Sequence, residues 1–151
     1  MQKNKKNHIK LEFMSLPENV ALARVLISSL VAQVDTTLND LEEIKVAVSE
    51  GVSNAIIHGY QNNQNGIVAI EANIIDEKLE VIIEDKGIGI EDIDQAMTPT
   101  FTTDPDRMGL GFVFMKSFMD NVEVISQKGN GTKVVLVKSL INNGSCTQVA
   151  N

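Results

Sequence analysis

Glu50 and Asn54 stand four residues apart in the run Glu50-Gly51-Val52-Ser53-Asn54-Ala55-Ile56-Ile57-His58. On a helix that spacing puts an acid and an amide on one face, one turn from each other. Oxygen ligands of this kind suit a hydrated Mg2+, and the acid can take a proton from a nucleophile held nearby. The same two residue types also make an ordinary solvated helix face, so the pair acquires meaning only from its company. Asp85 follows the β-branched segment Leu79 to Glu84 and precedes Gly87 and Gly89. A carboxylate at a strand end is a fixed acceptor for the exocyclic amine of a purine, and a side chain at either glycine is expected to block the ring. Alone, the run is also an ordinary strand-to-loop turn. Gly109-Leu110-Gly111 opens a helical stretch from Phe112 to Met119. Free N–H groups at a helix start attract phosphate. Gly129-Asn130-Gly131-Thr132 reads as a hairpin turn, and the Thr132 hydroxyl can reach a bound base.

The elements that must position these groups follow from periodicity. His8 to Met14 alternates as an edge strand. Pro17 to Val34 is predicted helical, with Ser15 as N-cap and Leu22, Leu26 and Leu30 at four-residue spacing. Asp35 to about His58 forms the second helix, with Leu38, Leu41, Ile44, Val48, Val52 and Ile56 as its apolar stripe. Ile67 to Ile75 and Lys78 to Glu84 form a hairpin around Asp76-Glu77. Glu91 to Met97 is a short helix, and Val122 to Ser126 and Lys133 to Val137 close the chain as strands. Strand pairs with helices between them predict an α/β (α+β) two-layer sandwich, with a mixed, largely antiparallel sheet and helices on one face.

The 151 residues suit one domain. We expect a tail at residues 1–7, the domain at 8–140 and a polar tail at 141–151. Aromatics are only 4% and Trp is absent, so Ile, Val, Leu and Met must fill the core. A net charge of −7 lacks the basic footprint of nucleic-acid binding. Cys146 is the single cysteine and can form no internal disulfide. With no apolar leader and no membrane-length apolar run, a soluble cytoplasmic protein is expected, without direct contact to membrane or nucleic acid. His8 and His58 are read as packing or hydrogen-bonding residues.

In this order, the four pieces resemble the GHKL superfamily of ATPases and kinases. Glu50-x-x-x-Asn54-Ala55-x-x-His58 resembles the N box of the small serine kinases that act as anti-sigma factors, Asp85-x-Gly87-x-Gly89 the first glycine box, and Gly109-Leu110-Gly111 the second. Val48-Ser49-Glu50, Asn54 to Tyr60, Phe101-Thr102-Thr103, Phe118-Met119-Asp120 and Ala23-Arg24-Val25 look like the sporulation anti-sigma F factor family of endospore-forming bacteria, over roughly residues 8 to 140.

The resemblance implies the GHKL (Bergerat) ATP-binding fold, ATP or ADP with Mg2+, and transfer of phosphate to a serine of a partner protein. It implies Asn54 on Mg2+, Asp85 on adenine with Gly87, Gly89 and Thr132 beside it, and Gly109, Leu110 and Gly111 around the phosphates. Glu50 is implied as the base. Thr98 to Arg107 would be a lid, slightly shorter than the family's, with Arg107 at its end near the outer phosphates. The implied partners are an RNA polymerase sigma factor, inhibited by a homodimer of the chain, and a small anti-anti-sigma protein that is phosphorylated; Arg24 matches the position presented to both. The alternatives are a general-stress-type anti-sigma serine kinase and a nucleotide-gated sigma-binding module without phosphotransfer. A histidine-kinase type is disfavoured by the lack of a phosphoacceptor helix pair.

Overall fold

The computed structural model describes residues 6–98 and 108–140. In chain order it contains β1 (Lys6–Met14), α1 (Asn19–Val31), α2 (Leu38–Asn54) running into a π-helical turn (Ala55–Gly59), β2 (Ile67–Ile75), β3 (Lys78–Asp85), α3 (Ile93–Met97), α4 (Met108–Phe118), β4 (Asn121–Ser126) and β5 (Thr132–Ser139). The strands form one sheet in the order β1-β2-β3-β5-β4. Every neighbouring pair is antiparallel. The expected two-layer sandwich is present, but no parallel pair makes the sheet mixed among the described residues. Residues 6 and 7, expected in the N-terminal tail, pair with Ile75 and Ile74.

Alternation explains the sheet. Val68, Ile70, Ala72 and Ile74 of β2 and Leu79, Val81 and Ile83 of β3 face inward and are buried. Helix α2 is the centre of the helical layer, with α1 on one side and α4 on the other. Its start is set by Thr37, whose hydroxyl accepts from the Asp40 N–H at 3.0 Å. Ile44, Val48, Val52 and Ile56 are buried as the stripe predicts, but Leu38, one residue past the cap, is 82% exposed. In α1 the core face is Ala23, Ile27, Leu30 and Val31. A four-residue repeat advances about 40° per step on a helix of 3.6 residues per turn. Two steps back from buried Leu30, Leu22 has therefore rotated out to solvent.

Ser15 is not the cap of α1. It is fully buried, and its hydroxyl donates to the Asn63 carbonyl and accepts from the Gly66 N–H. It joins the end of β1 to the loop before β2, while α1 begins after Glu18 with no side-chain cap. Lys138 is the buried cation among the described residues. Its Nζ donates to Glu43 of α2 at 3.0 Å and to the Phe118 carbonyl at the end of α4, with Asp40 at 3.8 Å. That lysine ties the far ends of α2 and α4 to the sheet. Among the described residues no helix is long and apolar enough to cross a membrane.

Ile44 and Leu38 are both apolar and both on α2, yet only one is in the core. Ile44→Ala should lower stability by about 2–5 kcal/mol, and Leu38→Ala should change it by no more than about 0.5 kcal/mol, as read from urea unfolding. Equal losses would show that Leu38 is covered.

Candidate functional site

The end of α2 departs from α-helical winding where the chemistry-bearing residues stand. Asn54 is its last α-helical residue, and the next five wind as a π turn, closed by a bond from the Tyr60 N–H to the Ala55 carbonyl at 2.9 Å. Single π turns of this kind recur at functional sites because they redirect side chains without ending the helix. Here the turn brings Gly59 against Asp85. A Cβ built on Gly59 would lie 2.6 Å from the Asp85 carboxylate, and one on Gly87 would lie 1.9 Å from the Gly59 carbonyl oxygen. The π turn and the loop after β3 thus meet backbone to backbone. Tyr60 fixes the meeting: its hydroxyl accepts from the Lys86 N–H at 2.8 Å and donates to the Ile67 carbonyl.

Asp85 faces inward at the end of β3 and is 5% exposed. Its Oδ1 accepts from the Gly87 N–H at 2.9 Å. The Thr132 N–H, opposite it on β5, donates to it as well. Burial raises its pKa from 3.8 to about 6, against the pull of those two donors, and neighbouring Glu84 adds a smaller upward push. A carboxylate accepts at about four lone-pair positions. Asp85 is therefore a desolvated acceptor with capacity left for a ligand's donor.

A cavity of about 290 Å3 opens over it, lined by Asn54, Gly59, Asp85, Gly89, Phe112 and Thr132 among others. Ile57, Ile83 and Val134 supply apolar walls. Such a mixture, apolar walls with a few convergent polar groups, is the usual composition of a small-molecule site. Asn54 lines the cavity, and Glu50 and Gly111 stand beside Asn54 without lining it. A Cβ on Gly111 would sit 2.9 Å from Glu50 Oε2 and 3.4 Å from both amide atoms of Asn54. The Nδ2 of Asn54 is buried with no hydrogen-bond partner among the described residues. An orphaned donor of this kind points to a missing acceptor.

The structure thus brings Asn54, Asp85, Gly89 and Thr132 to one cavity and sets Glu50 and Gly111 beside Asn54. Gly109 and Leu110 lie in the first turn of α4, which begins at Met108 rather than at Phe112; neither lines the cavity, and Leu110 is 48% exposed. Gly87 faces a second, shallower hollow with Tyr60 and Lys86. The reason for the glycines differs from the expected one. At Gly87 and Gly89 a side chain would strike the carbonyls of Gly59 and Gln127 rather than a bound ring, and Gly89 also has φ +73°. Arg107 and the lid from Pro99 lie outside the described residues. Arg24 is away from the cavity: its guanidinium donates to Ser49 Oγ of α2 at 3.2 Å. His8 bonds Asn73 on the outer sheet face, whereas His58 lines the cavity wall.

Two positions escaped the sequence reading. Gly59 carried a signal, since it follows His58 directly in the N-box run. Ser126 carried none, being an ordinary residue at a strand end. Its Oγ accepts from the Ile90 N–H at 2.7 Å and contacts the Gly131 carbonyl at 2.9 Å and Thr132 Oγ1 at 2.8 Å.

Among the described residues no three His, Cys, Asp or Glu side chains gather as a ready cage for a metal. Asn54 nonetheless fits a cation that takes most of its ligands from water and phosphate, as Mg2+ does. The amide oxygen can meet the cation, and the orphaned Nδ2 can donate to an adjacent phosphate oxygen.

The described fold, with this cavity, is that of histidine kinase-like ATPase domains, whose family model matches residues 13–138. The catalytic domain of the histidine kinase ThkA superposes with a TM-score of 0.56 at 20% identity, covering 87% of this chain and 96% of that one. The RsbU and RsbW domains of a Mycobacterium tuberculosis protein superpose with a TM-score of 0.63 at 17% identity, covering 89% of this chain and 32% of that longer one. The anti-sigma F factor of Clostridium beijerinckii is 52% identical over 134 residues, 87% of this chain and 94% of its own. That of Clostridium acetobutylicum is 48% identical over 134 residues, 87% of this chain and 93% of its own. The chain belongs to the histidine kinase-like ATPase family and, within it, to the anti-sigma F factors.

The raised pKa of Asp85 gives a test with a defined sign. The folded state binds this proton more tightly than the unfolded chain. Its stabilising effect is therefore complete below about pH 4 and is lost as pH rises through about 6. Relative to wild type, nucleotide-free Asp85→Asn should gain stability between about pH 4 and pH 7, by up to about 3 kcal/mol. Urea unfolding at both pH values measures it; a wild-type-to-variant difference that is flat with pH would show Asp85 to be well solvated.

Proposed function

We propose that the chain is an anti-sigma factor that binds an RNA polymerase sigma factor and, as an ATP-dependent protein serine kinase, phosphorylates and inactivates the small anti-anti-sigma protein that opposes it. The observation that carries the kinase half is the packing of Glu50 and Asn54 of α2 against Gly111 in the first turn of α4, with Asn54 also lining the cavity that holds Asp85. The anti-sigma half rests on the family membership, and with it the expectation that the protein works in the cytoplasm, where its targets are.

Adenine would enter the cavity with its amine toward Asp85 and Thr132. Its phosphates would then extend toward Asn54 and the start of α4, where N–H groups of the first turn are unpaired within the helix and the dipole favours negative charge. Gly111 leaves room beside that backbone, since a Cβ there would press on the end of the Glu50 side chain at 2.9 Å. Mg2+ held by Asn54 Oδ1 would supply charge neutralisation of the phosphates. Glu50, one turn back on the same face, would accept the proton of the serine hydroxyl as its oxygen bonds to the γ-phosphorus and the bond to the bridging oxygen of ADP breaks. The carboxylate is a weak base, so placement contributes most. Arg107, at the end of the lid, would reach the outer phosphates. Arg24, on the half-exposed face of α1, would contact the protein partners. Leu22 and Val25 beside it are 46% and 63% exposed and would be covered in a homodimer.

Incubation with labelled ATP and the anti-anti-sigma protein tests this reading through phosphoserine formation. Glu50→Ala should lower transfer by about 10²–10⁴-fold and leave ATP affinity within a few-fold of wild type. Near-normal transfer by that variant would remove Glu50 as the base. No transfer by the wild type, with ATP-dependent sigma binding intact, would leave a nucleotide-gated binding module instead.

A further inference from the structure

The direction of the hydrogen bonds around Ser126 can be worked out from donor and acceptor chemistry alone. The Gly131 carbonyl oxygen, 2.9 Å from Ser126 Oγ, has no proton to give. Its approach is favourable only if the single Ser126 proton points at it. The Ile90 N–H, 2.7 Å from the same oxygen, can only donate. The remaining partner, Thr132 Oγ1 at 2.8 Å, must then donate to Ser126, because Ser126 has no second proton to offer. Thr132 has one proton and gives it to Ser126. The lone pairs left on its oxygen are acceptors only.

Thr132 lines the cavity beside Asp85, its neighbour across the β3–β5 ladder. We infer that Ser126, which lies behind Thr132 and does not line the cavity, is a specificity-determining positioning residue: it fixes the Thr132 hydroxyl as an acceptor, so that Thr132 and Asp85 together select a base carrying an amine over one carrying an oxo group at the same place. The inference rests on the nucleotide reading above and deepens it. A threonine alone would not discriminate, since a free hydroxyl rotates to donate to an oxo group or accept from an amine. With its proton committed to Ser126, an oxo group would meet lone pairs on both residues. Ser126 also holds the Ile90 N–H and the Gly131 carbonyl, so the loop after β3 and the β4–β5 turn are locked to the same hydroxyl.

Paired affinities for ATP and inosine triphosphate, which replaces the amine by an oxo group, provide the test. The wild type should prefer ATP by about 100-fold or more. Ser126→Ala, which frees the Thr132 hydroxyl, should shrink that preference by about tenfold, the worth of one directed hydrogen bond. It should do so mainly by improving inosine triphosphate binding. Ser126→Thr keeps the hydroxyl and should retain the wild-type preference within about threefold, and it serves as the second variant if Ser126→Ala does not fold. Thr132→Val should also shrink the preference, and adding Ser126→Ala to it should change nothing more, because Ser126 acts through Thr132. Equal weakening of both nucleotides in Ser126→Ala would reveal a purely structural serine and overturn the inference, as would additive losses in the double variant or a collapsed preference in Ser126→Thr. A wild type that binds neither nucleotide would overturn the nucleotide reading itself, whereas a wild type that binds ATP with a preference Ser126→Ala leaves unmoved would overturn only this inference.

Discussion

A carboxylate held out of water at the end of β3 is the constraint around which the rest of this molecule is arranged. Asp85 is almost fully buried, and its two backbone donors do not offset the loss of water, as its raised pKa shows. A group in that condition is destabilising until a further donor reaches it. Its presence in the core therefore makes sense as one half of an interaction completed by a ligand. The surroundings agree. The backbone can wrap Asp85 this closely only because Gly59 and Gly87 have no side chains to intervene. The Thr132 N–H reaches it only because β5 pairs with β3 in the register that sets the two residues opposite.

The second arrangement is the change of winding after Asn54. An α-helix continued through Ala55–Gly59 would present successive side chains about 100° apart. The wider π turn spends an extra residue per turn, keeping Ala55 and Ile56 in the core while Gly59 reaches Asp85 and His58 reaches the cavity wall. Asn54 stands at the junction, where its Nδ2 is buried with no hydrogen-bond partner among the described residues. One local irregularity thus joins the two ends of the site: α-helical winding ends at Asn54, and the turn after it carries Gly59 to Asp85.

Much of this was legible in the chain. The β2–β3 hairpin is found almost residue for residue where strict alternation predicts it, even though its turn residues Asp76 and Glu77 take positive φ values that favour Asn and Gly. The grouping of Asn54, Asp85 and Thr132 at one cavity was expected only from the family resemblance, because each run alone reads as an ordinary helix face, strand-to-loop turn or hairpin turn. What was not legible depends on contacts distant in sequence. Ser15 looks like a helix cap and is instead a clasp to residues 63 and 66. Leu22 and Leu38 look like core and are not, because apolar spacing cannot say where a helix begins or which way its face has rotated. The glycines after Asp85 were recognised, but for a ligand's sake. Their partners are carbonyls of Gly59 and Gln127, which no local pattern could bring to them.

The spacing between α2 and α4 is held from two sides, and this bears on how a weak base could act. Near the site, Gly51 admits Ile83 and Met115 so closely that a Cβ there would strike Ile83 at 2.5 Å. At the far end, Lys138 reaches from β5 to Glu43 of α2 and to the Phe118 carbonyl at the end of α4. A buried cation is costly unless its donors are all used, and here two carboxylates and a helix C-terminus receive it. Two helices fixed at both ends cannot easily change the distance between Glu50 and the first turn of α4. Catalysis by a carboxylate depends on placement more than on basicity. A scaffold that fixes Glu50 and the first turn of α4 to the same pair of helices sets their spacing before any ligand arrives, so in the proposed reaction binding energy would not be spent on bringing them together.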